Sequence, residues 1–194
     1  SLMSIQGKRV TTNPIAGTRR RGNTSDEDAL LEKELLEDPK ELAEHRMLVD
    51  LGRNDLGRIS EVGSIHLTKY MDIEKYQHVM HIVSEVAGTL REDQHPLDAL
   101  VACLPAGTVS GAPKIRAMQV IQDMENVKRG VYAGAVGYIG FNGNIDIALA
   151  IRTLVVKNQT AYVQAGAGIV YDSNPQAEFE ETLHKAKSLL EVLS

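Results

Sequence analysis

The chain has 194 residues, 43% of them hydrophobic, with 21 basic and 26 acidic side chains and a net charge of -5. That suits one well-cored domain or a large piece of a bigger one, and it excludes a basic nucleic-acid surface; no apolar run reaches the roughly 18 residues of a membrane span. The single Cys103 excludes an intrachain disulfide or a cysteine metal knuckle and is expected to pack, reduced, in an apolar helix; with no signal peptide at the start, the cytoplasm is the expected location.

Residues 5–13 read as a short strand or edge segment leading into PIAGTRRRG at 14–22. Ser25 with Asp28 resembles a capping box, and Leu30, Leu31, Leu35 and Leu36 give the next helix an apolar side. Asp38, Pro39 and Glu41 restart a helix at once. Its apolar stripe reads Met47, Leu48 and Leu51, and at about 100° per residue Glu44 falls in the middle of that stripe, with Glu41 at its margin. A carboxylate there is costly unless a cation or donor meets it, so Glu44 is either ion-paired or a metal ligand.

After a DLGRND turn, short strands are expected near Ile65. Residues 79–90 fit both a helical period and a strand; as a strand they place His81, Val83 and Glu85 on one face. His95, Pro96 and residues 97–104 form a short helix closed by Pro105. GTVSGAPK at 107–114 is a loop feeding a helix to about Glu125; its small residues and lysine allow an anion site, but it is not a Walker A loop.

From Val131 the pattern is a meander. Asn142 and Gly143 signal a hairpin between strands at 132–141 and 145–157, and Asn158 with Gln159 turns into residues 161–165. On the middle strand Ile145, Ile147, Leu149 and Ile151 face the core, while Arg152 stands above Ala148 and Ala150 on the other side. Tyr132, Gly134 and Tyr138 share a face of the preceding strand. Such a surface either grips a small carboxylated molecule or carries a salt-bridged arginine. Finally, residues 162–187 join a strand, a glycine-rich loop with Gly166 and Gly168, and a helix capped by Ser173 or Asn174 with Pro175 in its first turn. Glu178, Glu180 and Glu181 head that helix, as its dipole favours in any protein; its apolar stripe is Phe179, Leu183, Ala186 and Leu190, with Glu181 nearly opposite.

Seven segments, PIAGTRRRG, AEHRMLVDLGRND, HVMHIVSEVAG, GTVSGAPKIRAMQVI, GVYAGAVGYIG, IALAIRTLVV and QAGAGIVYDSNPQAEFEET, occur in this order. Together they resemble the carboxy-terminal part of the chorismate-utilising enzymes, nearest the large component of anthranilate synthase, and cover nearly the whole chain. The resemblance implies an α/β layered fold, antiparallel sheets with helices outside, for a catalytic-domain piece spanning residues 4–194. Residues 1–3 read as a cloning scar or fragment start.

It also implies roles. Mg2+ would bridge the substrate carboxylate and Glu44 and Glu181, with Glu178 and Glu41 as further ligands. Arg152 and Tyr132 match groups that hold substrate carboxylates, Gly166, Ala167 and Gly168 match backbone contacts, and Gly17 and Thr18 match a further contact. Thr108 lies in the pocket loop, and His81 matches the histidine of pyruvate elimination. The implied reaction adds ammonia at C2 of chorismate with loss of the C4 hydroxyl, then eliminates pyruvate to give anthranilate, the first step of tryptophan biosynthesis. The implied partners are a glutamine amidotransferase subunit and tryptophan as feedback inhibitor, whose site Val136, Gly137 and Tyr138 border.

Ala16 discriminates within the family. Relatives making aminodeoxychorismate, isochorismate or salicylate carry lysine there, so alanine favours the anthranilate reaction over these alternatives. The family's general-acid glutamate precedes PIAGT and is not in this sequence, so the chain alone is expected to be an inactive fragment that at most binds ligand or metal.

Overall fold

In the computed structural model residues 1–171 and 173–193 are described; Asp172 of the glycine-rich stretch and Ser194 lie outside them. The chain divides into two compact units, residues 1–104 with 137–147, and residues 105–136 with 148–194.

The first unit grows from a hairpin. Strands β1 (Met3–Gln6) and β2 (Arg9–Thr12) meet at a turn where Gly7 takes a φ of 61°, open to glycine at little cost. Alternation sends Met3, Ile5 and Val10 into the core. Residues 5–13 are therefore no edge: β2 lies between β1 and β5 (Val79–Thr89). After Pro14 the chain resumes as β3 (Ile15–Arg20), again on β5, so β3 and β2 pair with successive stretches of that strand. The helical alternative for residues 79–90 is excluded. β4 (His66–Lys75) takes the opposite edge of β5, and beyond β1 come β7 (Ile145–Leu149) and β6 (Ala135–Ile139). These ladders are antiparallel wherever their register is defined, as expected for the fold class.

Helices α1 (Ser25–Glu37) and α2 (Pro39–Gly57) cover this sheet, with Leu35, Met80 and Ile82 fully buried among Leu31, Leu42, Met71 and Ile73. The cap of α1 is Thr24, one residue earlier than expected, accepting the Glu27 N–H. That frees Asp28 for a different task. Buried to 7% exposure, it takes a two-bond fork from Arg21, the Gly22 N–H and the Lys75 ammonium, and its carboxyl is held far below the ordinary range, chiefly by Arg21. The other arginines of the TRRRG run also pair with helix carboxylates: Arg19 with Asp38, and Arg20 with Glu27. Asp38 caps α2 as expected.

The buried face of α2 is His45, Leu48, Val49, Gly52, Asp55 and Leu56, whereas Met47, Leu51 and Glu44 are only half-buried. Glu44 therefore flanks the stripe, and the polar group at its centre is His45. Its Nε2 lies 2.6 Å from the Ser84 hydroxyl, which also accepts the Met71 N–H where β4 bulges. A short polar contact between helix and sheet thus replaces an apolar one.

In the same unit the expected short helix is α3 (Pro96–Cys103), with His95 as its cap and Cys103 buried. The hairpin at 140–144 turns at Gly143, φ 82°. In the second unit the 107–114 stretch contains one helical turn, α4 (Gly107–Ser110), before α5 (Lys114–Met124). The expected strand at 145–157 is broken. It ends at Leu149, Ala150 becomes buried and Ile151 exposed, and Arg152 takes a φ of 52°, fixed by bonds from the Ile151 N–H to Leu149 and from the Thr153 hydroxyl to Ile151. Pairing resumes as β8 (Leu154–Lys157) and β9 (Thr160–Val163), with Asn158 and Gln159 at φ 50° and 60° in the turn, as the hairpin signal requires. The last helix is α6 (Pro175–Leu190), capped by Asn174. Among the described residues no helix is long and apolar enough to cross a membrane.

Burial lowers the His45 pKa from 6.5 to about 4. Between those values the unfolded chain binds a proton that the folded chain refuses, so the protein should lose on the order of 3 kcal/mol of stability as pH falls from 6.5 to 4. Urea midpoints measured across this range should show that slope in the native chain and a flatter profile in His45→Gln; parallel profiles would contradict the assignment.

Candidate functional site

In the first unit the expected residues Gly17, Thr18, Glu41, Glu44 and His81 come together around one irregularity. The β3 ladder shifts register between Ala16 and Thr18, with Gly17 at φ 72°. A side chain at Gly17 would strain the backbone and stand 2.9 Å from Leu35 Cδ1 and 3.2 Å from the Glu41 carboxylate. The bulge turns the Gly17 carbonyl onto His81 Nδ1 at 2.9 Å, with the Thr18 hydroxyl 3.1 Å from the same nitrogen. A carbonyl only accepts, so Nδ1 carries a hydrogen, and in the neutral ring Nε2 presents a lone pair. Tyr76 packs at a tilt on the ring, 5.7 Å between centroids.

Glu41 and Glu44 follow one helical turn apart. Burial raises the Glu41 pKa, the negative charges of Glu44 and Asp38 raise it further, and Arg19 and Lys40 oppose them. Arg19 stands 3.9 Å from the Glu41 carboxylate. Like-charged carboxylates in one half-buried place are a donor set suited to a hard divalent cation, which would relieve their repulsion.

In the second unit a second cluster forms from Tyr132, Arg152, Gly166 and Glu181. Tyr132 precedes β6, in a turn where Ala133 takes a φ of 66°, so it does not share a strand face with Tyr138 as expected. Residues 166–168 lie in an irregular segment after β9 and not on a strand face. A side chain at Gly166 would stand 2.8 Å from the Tyr132 hydroxyl, so the missing Cβ admits the phenol. Burial raises the Tyr132 pKa against the lowering charges of Arg129 and Arg152. Arg152 Nη1 donates to the Lys185 carbonyl at 2.8 Å, while Lys185 Nζ donates to the Gly166 carbonyl at 3.1 Å and pairs with Glu181. Lys185 thus links three of the expected residues, and the sequence reading missed it. An (i, i+4) partner to Glu181 was the available signal.

The orientation of α6 follows. Its expected apolar stripe is open, with Phe179 at 57% and Leu183 at 52% exposure, whereas Glu178 is buried at 5%. The bond from Lys185 to the Gly166 carbonyl ties that side of α6 to the glycine-rich segment. Glu178 and Glu181 form a second carboxylate pair one turn apart; among the described residues no three acidic, histidine or cysteine groups are gathered closely enough to hold a metal. Thr108 is exposed on α4.

Residues 1–191 match the family described as chorismate binding enzyme. The chain is 58% identical over 192 residues to "Anthranilate synthase component 1" of Aquifex aeolicus, covering 99% of this chain and 39% of the relative. The crystal structure of anthranilate synthase component I from Streptococcus pneumoniae is 59% identical and superimposes with a TM-score of 0.89, over 97% of this chain and 41% of that one. The menaquinone-specific isochorismate synthase of Escherichia coli, at 24% identity and a TM-score of 0.88 over 100% of this chain and 44% of that one, shares the fold. The chain therefore spans about two fifths of the length of the anthranilate synthase relatives it matches.

Removing one carboxylate should relax the other. In Glu44→Gln the Glu41 pKa, followed by carbon NMR of labelled glutamates, should fall, because a charge that raises it is gone. An unmoved Glu41 titration would show that the two groups do not share a site.

Proposed function

The chain belongs to the chorismate binding enzyme family, and from that premise we propose that the protein carrying it is an anthranilate synthase component I. The observation that carries this reading is the 58% identity to a relative of that name, extending over almost the entire chain. The proposed reaction takes chorismate and ammonia to anthranilate and pyruvate, the entry to tryptophan biosynthesis in the cytoplasm. Ammonia would come from a glutamine amidotransferase subunit, and tryptophan would inhibit. Ala16 supports this chemistry over reactions that use lysine at that position: its methyl is 8% exposed on β3, beside the Gly17 bulge, and has no nucleophile or base to offer.

In this reading His81 is the proton carrier of pyruvate elimination. The Gly17 carbonyl fixes the position of its Nδ1 hydrogen, and Nε2 takes or returns the proton in that step. The Arg152 guanidinium and the Tyr132 phenol bind substrate carboxylates, and the open backbone at 166–168 lets N–H groups approach an anion. Thr108 contributes from α4 and Thr18 from the bulge. Glu44 and Glu181, with Glu41 and Glu178 as further candidates, are the carboxylates that would hold Mg2+, which when bound would neutralise substrate charge and fix its orientation.

The test uses the full-length protein with chorismate, ammonium and magnesium, followed by anthranilate fluorescence. Anthranilate should form. The half-saturating magnesium concentration should rise about tenfold or more in Glu44→Gln or Glu181→Gln, and His81→Asn should lower kcat by about 10²-fold or more. A different product, or metal titrations unchanged by both glutamate substitutions, would overturn the assignment.

A further inference from the structure

Arg129 belongs to none of the groups assigned above, yet within the second unit it touches what surrounds Thr108 and Tyr132. Its Nε and Nη2 donate to the two carboxylate oxygens of Glu125, at 2.9 and 2.6 Å, in a fork at the C-terminal end of α5. Nη1 donates to the Val109 carbonyl at 2.6 Å, one residue beyond Thr108 on α4. The guanidinium carbon lies 5.5 Å from the centroid of the Tyr132 ring, and the Tyr132 N–H donates to the Arg129 carbonyl at 3.0 Å. Every nitrogen of the guanidinium is thus engaged, and its central carbon stands over the Tyr132 ring.

We propose that Arg129, oriented by Glu125, is a positioning residue that holds the Tyr132 phenol against Gly166 and the Thr108 turn beside it. Only a planar cation with donors in three directions makes these contacts at once; lysine, a point charge on a flexible stem, keeps the charge and loses the fork. Tyr132 has little freedom on its other sides. Ala133 next to it is held at positive φ by a bond from its N–H to the Ala150 carbonyl, and Gly166 leaves room for the hydroxyl but not for a methyl group. Losing the guanidinium clamp therefore frees the ring about the bonds that aim its hydroxyl, while the backbone stays pinned. The opposing charges of Arg129, which lowers the Tyr132 pKa, and Glu125, which raises it, give each partner a distinct signature.

The inference rests on the functional reading for its substrate, and the experiment separates the two. In the full-length protein, Arg129→Lys should raise the KM for chorismate about tenfold while kcat changes by less than about threefold, because binding contacts are misaligned and the proton-transfer groups are untouched. Glu125→Gln, a milder change in case the arginine variants fold poorly, should move KM in the same direction by less. Ultraviolet titration of the phenols, with Tyr132→Phe identifying the Tyr132 component, should show its pKa rising in Arg129→Gln and falling in Glu125→Gln. If the unmutated protein makes anthranilate and neither variant shifts KM, positioning by Arg129 is wrong and the functional reading stands. If the unmutated protein makes no anthranilate, the functional reading fails, and the phenol titration alone decides: opposite shifts uphold the Arg129 clamp, and an unmoved phenol overturns it.

Discussion

Gly17 interrupts the ladder between β3 and β5 at the point where a continuous strand would carry its carbonyl and side chains past His81. A positive φ and a register shift at this residue direct the carbonyl to Nδ1, bring Thr18 to the same nitrogen and leave space for the Glu41 carboxylate. A side chain at 17 would remove all three, through backbone strain and through contact with Leu35 and Glu41. The same strand pair carries the Ile82 and Met80 side chains into the core under α1 and α2, so the His81 cluster and the packing of the first unit are one construction.

The second unit repeats the tactic with different parts. Gly166 gives way to the Tyr132 hydroxyl, Ala133 and Arg152 both take left-handed backbone, and cations are spent on fixing carbonyls and carboxylates. Lys185 holds the glycine-rich segment to α6 and Arg152 holds the turn after β7 to it; Arg129 and Glu125 hold α4 to the end of α5. Local strain concentrated at binding groups and offset by surrounding hydrogen bonds is what a preorganised anion site requires.

Much of this was legible in the sequence. Asp38 before Pro39, His95 before Pro96 and Asn174 before Pro175 announced three helix starts, because a side-chain acceptor and a residue without an N–H suit that place. Asn158 with Gln159 announced a hairpin. What stayed hidden depends on partners distant in the chain. His45 occupies the centre of the α2 stripe because Ser84, 39 residues later, offers a hydroxyl, and helical periodicity alone pointed to the neighbouring Glu44. Asp28 read as the partner of Ser25 in a capping box and is instead the anchor of Arg21. The alternation of β7 continued on paper past Leu149, where the left-handed turn at Arg152 ends it. On α6, whose acidic start read as a solvated face, Glu178 is buried and Lys185 reaches the Gly166 carbonyl, while Phe179, Leu183 and Leu190 lie open.

The proposed function depends most on the half-buried pair Glu41 and Glu44, which would help to hold a divalent cation that also takes ligands from the substrate. Binding of the two must then be reciprocal, each raising the affinity of the other by the same factor. Calorimetric titration of magnesium into the full-length protein, with and without chorismate and in the absence of ammonia, measures this directly. Magnesium should bind more tightly when chorismate is present, with the gain abolished in Glu44→Gln; equal affinities with and without chorismate would rule the shared cation out.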